Sequence, residues 1–202
     1  MVLTLPTGPT YQSGNWRLIS NAARFTSPIS RVTQSVSRPG NMWAATLTLP
    51  PIRDPGLVAD WAAFMAQIAG GEESFYLFPP ALSLHDVSGD PVVDGEGQAG
   101  QTINLRGFDP GDTMRKGSFF CYDTSTFRML HIVTATTSAD AHGEMALPIR
   151  PGIRKAPADG AALTLDYPTC EMVLSQADAT LLNLSDAVWH GHSLNVIESV
   201  RE

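Results

Sequence analysis

A mainly β protein with one α-helix, interrupted by an inserted small β-barrel, is the fold this sequence predicts. Three observations carry it. Short apolar, β-prone runs recur along the chain, separated by turns that draw on 17 glycines and 15 prolines. One stretch, Leu57 to Ile68, repeats its apolar residues at helical spacing. Composition also shifts at Pro79-Pro80, and strand-like runs too few for a core of their own follow Pro168.

The elements follow in order. Residues 1–15 lack periodicity and read as an extended arm whose apolar anchors, Leu3, Leu5 and Tyr11, are candidates for a subunit interface. The alternative is an edge segment packed on its own domain. Asn15–Ser20 and Ala23–Ser27 read as short strands with Trp16, Leu18 and Phe25 facing inward, and Pro28 ends the second. Arg31–Ser37 alternates as a strand, and Arg38-Pro39-Gly40 is a turn. In Met42–Leu49, Trp43, Ala45, Leu47 and Leu49 alternate with Ala44, Thr46 and Thr48, the period of a half-buried strand. Asp54-Pro55 is a helix start, a capping carboxylate before a residue whose φ is already set. The helix is predicted over 55–69, with Leu57, Val58, Trp61, Phe64, Met65 and Ile68 on one face and Gly70-Gly71 closing it. Ser74–Phe78 then reads as a strand buried on both sides.

Beyond the Gly-, Asp- and Ser-rich segment at 83–99, five short strands are predicted at Thr102–Arg106, Ser118–Tyr122, Arg128–Ala135, Glu144–Ile149 and Leu163–Asp166. Five strands with almost no helical pattern suit a small barrel or compact sandwich. Glu171–Leu174 and Ser193–Ile197 read as strands that return to the first domain, and Gln176–Leu184 stays ambiguous. The domains are therefore expected at 1–82 with 168–202, and at 83–167 as an insertion.

Hydrophobic residues at 43% and charged residues at 16% mark a folded chain. A net charge of −7 argues against nucleic-acid binding through overall charge. It also means that like-charged copies repel, so any self-assembly is expected to strengthen with salt. Cys121 and Cys170 form no Cys-x-x-Cys pair and sit in apolar strands, which reads as two buried free thiols. The N-terminus shows no signal peptide, and no window approaches a membrane span, so synthesis in the cytoplasm without membrane insertion is expected.

Candidate chemistry is sparse. Gly95-Glu96-Gly97-Gln98-Ala99-Gly100 matches G-x-G-x-x-G, yet a strand-prone run follows where the nucleotide-binding mechanism needs a helix, so a turn is the better reading. His190-Gly191-His192 near Asp186 lacks a third ligand, and Glu198 is placed on the far side of a strand. His142-Gly143-Glu144 and His85-Asp86 sit in turns. There is no Gly-x-Ser-x-Gly elbow, and no pair of carboxylates stands in an apolar strand end. No catalytic residue, metal ligand or cofactor is expected, and the chain is not expected to be an enzyme.

The residues do resemble a family. Phe25-Thr26-Ser27-Pro28, Thr33-Gln34, Arg38-Pro39-Gly40-Asn41-Met42-Trp43, the Pro-Pro turn, the Trp61–Ile68 helix and Gly70-Gly71 before Phe75–Phe78 are similar to tail proteins of long-tailed bacteriophages and gene transfer agents. The inserted segment adds Gly95-x-Gly97-Gln98-x-Gly100, His131-Ile132-Val133 and Ile149-Arg150-Pro151-Gly152-Ile153-Arg154. Within that group the match is to the distal tail protein. The resemblance implies a β-sandwich with a helix, an inserted barrel of the oligonucleotide/oligosaccharide-binding type, and a hexameric ring joining the tail tube protein to the baseplate hub protein and receptor-binding proteins. It places the protein in the virion, at the tail tip. It also implies a long loop that completes a shared inner barrel, which no stretch of the sequence identifies. Two alternatives stay open: a carbohydrate-binding adhesion module and a cell-wall hydrolase of the tail tip.

Overall fold

Alternating apolar residues between turn-formers condense into nineteen strands and one helix among the residues described by the computed structural model, which are 2–8, 13–36, 40–79, 84–176, 184–185, 188–189 and 193–200. In chain order these are β1 (Val2–Leu3), β2 (Ser13–Ile19), β3 (Ala23–Thr26), β4 (Thr33–Val36), β5 (Met42–Thr48), α1 (Pro55–Ile68) and β6 (Ser74–Leu77). The middle of the chain gives β7 (His85–Asp86), β8 (Val92–Val93), β9 (Gly100–Arg106), β10 (Thr113–Met114), β11 (Phe119–Asp123), β12 (Arg128–Val133), β13 (Thr137–Ser138), β14 (Met145–Ile153) and β15 (Leu163–Thr164). The last are β16 (Cys170–Leu174), β17 (Leu184–Ser185), β18 (Val188–Trp189) and β19 (Ser193–Glu198). The protein is mainly β, as its sequence predicts.

One six-stranded sheet runs β1-β6-β16-β19-β5-β2, so both ends of the chain contribute to it. The helix packs on this sheet. Asp54 caps it by accepting from Gly56 N at 2.9 Å, Pro55 opens it, and Gly70 and Gly71 adopt positive φ just past Ala69. Trp61, Phe64, Met65 and Ile68 are buried, and the rings pack edge-on, Trp61 on Phe64 and Phe64 on Phe75, with centroids 5.8 and 5.4 Å apart. Each such side chain contributes about 1.5–3 kcal/mol by leaving water. Trp189 is also fully buried here, 6.4 Å from Trp61.

The second six-stranded sheet runs β15-β11-β12-β14-β9-β8 and nearly closes on itself. Its seam is a bridge between Val92 and Ala162, with Val93 N donating to Ala161 O at 2.9 Å and Leu163 N to Pro91 O at 3.1 Å. Alternation divides β11 and β12 between two cores. Phe120, Tyr122, Met129 and Val133 fill the barrel with Ile103, Leu105 and Leu147. Phe119, Cys121, Leu130 and Ile132 point the other way and join Trp43, Met172 and Cys170 in the core of the first sheet.

That shared core is tied by polar contacts. Trp43 Nε1 donates to Leu130 O at 2.9 Å, and Arg128 lies 4.7 Å over the Tyr76 ring while donating to Thr169 at 2.7 Å. Arg154 pairs with Glu198, whose other oxygen accepts from Trp43 N at 2.8 Å, and Arg154 also donates to Asn41 O at 3.1 Å. Glu198 is thus buried at the junction, not on a strand's far side, because β19 carries it into the gap that Arg154 fills from the end of β14.

Candidate assembly surface

The antiparallel pair β2 and β5 ends at Ile19 opposite Met42, and the chain between them extends beyond the sheet as a second antiparallel pair, β3 and β4. The register places Ala23 opposite Val36 and Phe25 opposite Gln34 on one face. The other face holds Arg24 opposite Ser35 and Thr26 opposite Thr33, whose hydroxyls are 3.2 Å apart. A turn closed by Ser27 N to Val32 O at 3.0 Å and Arg31 N to Ser27 O at 2.9 Å joins them. Arg31 adopts φ 56° in it, the left-handed region that side chains seldom enter.

This hairpin has an apolar side that the described residues leave largely exposed. Phe25 is 59%, Ile29 95%, Val32 66% and Val36 44% exposed. Phe25 therefore faces solvent, contrary to the inward placement its alternation suggests, because the strand has left the sheet by residue 23. β3 and β4 form a two-stranded sheet with no further neighbour among the described residues. An isolated hairpin is marginal in water, and its outer edges offer unpaired N–H and C=O groups. β2, itself the last strand of its sheet, continues that open edge.

Of the residues singled out as a subunit interface, Leu3 and Leu5 are half-buried against the core of their own chain, Leu3 sitting opposite Phe75 in the only parallel pairing of the described strands. Trp61 Nε1 donates to Gly8 O at 3.1 Å, so the arm lies on the helix. Tyr11 lies outside the described residues, as do His190, His192 and Asp186.

The other chemical candidates are engaged in structure. Gln98 folds the 95–100 turn by donating to Asp94 O at 2.8 Å and Asn104 O at 3.0 Å, and β9 follows rather than a helix. Asp140 closes the His142 turn by accepting from His142 N and Glu144 N at 2.8 and 2.9 Å. His131, absent from the sequence candidates, is fully buried between Phe120 and Tyr122. Its Nδ1 is 2.8 Å from Pro151 O, which only accepts, so Nδ1 carries the proton and Nε2 accepts from the Tyr122 hydroxyl at 3.2 Å. Burial lowers its pKa to about 4, and it is a neutral core residue.

Two carboxylates do stand in apolar strands, against expectation: Glu171 and Glu198 are both buried. They do not form a dyad. Met172 is opposite Glu198, so Glu171, one residue earlier, faces the other side of the sheet, where Ser74 Oγ donates to it at 2.5 Å. Desolvation pushes the Glu198 carboxyl above the usual range, although Arg154 and Trp43 N–H pull it back. Single-sequence patterns miss such pairs because their members are far apart along the chain.

A cleft of about 390 Å³ opens beside the barrel seam, lined by His85, Asp90, Pro91, Leu163 and Asp166 among others. Among the described residues His85 Nε2 has no hydrogen-bond partner, although Asp166 Oδ1 stands 3.5 Å away. Tyr167, the next residue, is 81% exposed and held at φ 49°. Among the described residues no cluster of His, Cys, Asp and Glu is arranged for a metal, and no helix is long and apolar enough to cross a membrane. No protein-family model and no curated protein matches the chain.

Proposed function

We propose that the chain is a virion structural protein, the distal tail protein of a long-tailed bacteriophage or gene transfer agent, and not an enzyme. In this reading, copies form a hexameric ring that joins the tail tube to the baseplate hub and receptor-binding apparatus and lets DNA pass. The single observation that carries it is the β3–β4 hairpin, whose exposed Phe25, Ile29, Val32 and Val36 call for a protein neighbour. The hairpin is also the natural candidate for the loop that the family resemblance implies. The mainly β fold with one helix and a small barrel is compatible with the same reading. Cryo-microscopy of assembled particles and mass in solution test it. A six-fold ring at the tail end is the expected result; a monomer at every concentration, and in the particle, refutes it.

A second reading has its own observation. The seam cleft is lined by the acceptors Asp90 and Asp166, and the exposed Tyr167 follows Asp166 in the chain, a mixture of acceptors and flat aromatic surface of the kind that a saccharide uses. It would make the barrel an adhesion module. Saturable binding to a glycan array, lost in Tyr167→Ala, would support that reading in place of a purely structural one.

A further inference from the structure

The cleft beside the barrel seam lies where the pairing of two segments stops. Leu163 N donates to Pro91 O at 3.1 Å, next to the bridge between Val92 and Ala162. Beyond that bond no backbone hydrogen bond among the described residues joins 87–90 to 164–166, and both segments contribute to the cleft lining. Each wall is fixed from behind instead. The buried Asp112 carboxylate accepts from Ser88 N and Gly89 N, each at 3.1 Å, and from Asp109 N at 2.9 Å. His85 is opposite Met114 in the β7–β10 pairing, and Thr164 is opposite Cys121 in the β11–β15 pairing. Walls held in this way lose little entropy when the cleft is filled. Its volume of about 390 Å³ falls in the range of small-molecule sites.

The lining is chemically one-sided. Val87, Leu163 and Leu165 are half-buried and supply apolar surface. Asp90 and Asp166 supply acceptors, and no lysine or arginine is among the described residues that line the cleft. His85 differs from both acids in depth. Its side chain is 13% exposed against 77% for Asp166, and its Nε2 finds no hydrogen bond among the described residues. A buried polar atom without a partner costs free energy that an incoming hydroxyl recovers. Asp166 Oδ1 stands 3.5 Å from that nitrogen, too far for a good hydrogen bond. Two hydroxyls on adjacent ring carbons can bridge such a gap together.

We propose that the seam cleft binds a neutral saccharide through a vicinal diol, one hydroxyl on His85 Nε2 and its neighbour on Asp166. This rests on the saccharide reading above and names the contact that carries it. Asp166 accepts a charge-assisted hydrogen bond from the second hydroxyl, and His85 donates or accepts according to its tautomer. The apolar lining meets the C–H face of the ring. An acidic sugar or a phosphate-bearing polymer is excluded, because Asp90 and Asp166 repel it and no lining cation offsets them.

The test uses the full chain on an array of neutral and acidic glycans, followed by titration with the mono-deoxy forms of the strongest binder. Binding should be confined to neutral glycans. Removing either of two adjacent hydroxyls should weaken it at least about tenfold, the scale for losing a hydrogen bond to a charged or buried group. Asp166→Ala and His85→Phe should each weaken it by a similar factor. Each variant should also become indifferent to the loss of one of those two hydroxyls, since its partner is already gone. Asp166 is exposed, so thermal melts of Asp166→Ala should match the parent, and this variant with the deoxy series decides the matter even if His85→Phe does not fold. Binding that Tyr167→Ala abolishes but Asp166→Ala leaves unchanged overturns the diol contact while the saccharide reading stands. Sensitive hydroxyls that are not adjacent, or a preference for acidic glycans, overturn it in the same way. If no glycan binds the parent, the saccharide reading itself has failed and this proposal falls with it.

Discussion

Replacing Arg154 by methionine strands a buried carboxylate, and the consequence can be worked through from its surroundings. The Glu198 side chain is fully buried and that of Arg154 is 10% exposed. In the parent, Glu198 has the guanidinium on one oxygen and Trp43 N–H on the other. Arg154→Met leaves only the second and also removes the donor to Asn41 O. Removing one partner of a buried pair costs about 3–5 kcal/mol, because the remaining charge stays desolvated. The loss should depend on pH. Burial already raises the folded-state pKa of Glu198, and losing Arg154 raises it further. A carboxyl with a raised folded-state pKa binds its proton in the folded state first. Stability contributed by that proton therefore grows as pH falls through the raised value and levels off below the ordinary value of about 4.3. The variant's deficit should narrow from neutral pH toward that range. Adding Glu198→Gln should restore most of the loss, since the amide oxygen still accepts from Trp43 N and no charge remains buried. Denaturant melts followed by tryptophan fluorescence measure all three. A deficit under about 1 kcal/mol, or one that is the same at neutral and acid pH, would show that the pair is not the buried junction described above.

Trp61→Ala should destabilise by roughly 3–5 kcal/mol, the range for losing a buried large aromatic, and a loss below about 1 kcal/mol would place that side chain outside the core. Gly143→Ala should cost more than about 1 kcal/mol, because φ is 75° and a Cβ there would overlap the Phe108 carbonyl oxygen; an unchanged melt would refute that packing. Phe25→Asp with Val36→Asp should leave the melting temperature nearly unchanged while reducing the assembled mass, since both side chains are exposed in the single chain; a lower melting temperature with unaltered mass would contradict this. Replacing residues 83–167 with a short Gly/Ser linker should give a folded first sheet only when Glu198→Gln accompanies it, because the excision removes Arg154 and uncovers Trp43. Circular dichroism of the two excised forms decides the point, and equal folding with and without Glu198→Gln would count against it.

The sequence by itself determined the mainly β class, the helix and most strand positions, because those depend on local rules. A cap, a proline and a 3.6-residue apolar period place α1 within a residue of its predicted 55–69 span, and period-two alternation locates β5 and β12. Tertiary structure alone decided what each face meets. Phe25 alternates like a core residue, yet its strand runs past the sheet, so the described residues leave it 59% exposed. Leu130 and Met129 are neighbours of equal hydrophobicity that belong to different cores, a division made by the sheet between them. Closure of the barrel at Val92 and Ala162 and the pairing of Arg154 with Glu198 join residues 70 and 44 positions apart. No local period records such a contact, because its energy comes from burial and charge that exist only once the strands have met.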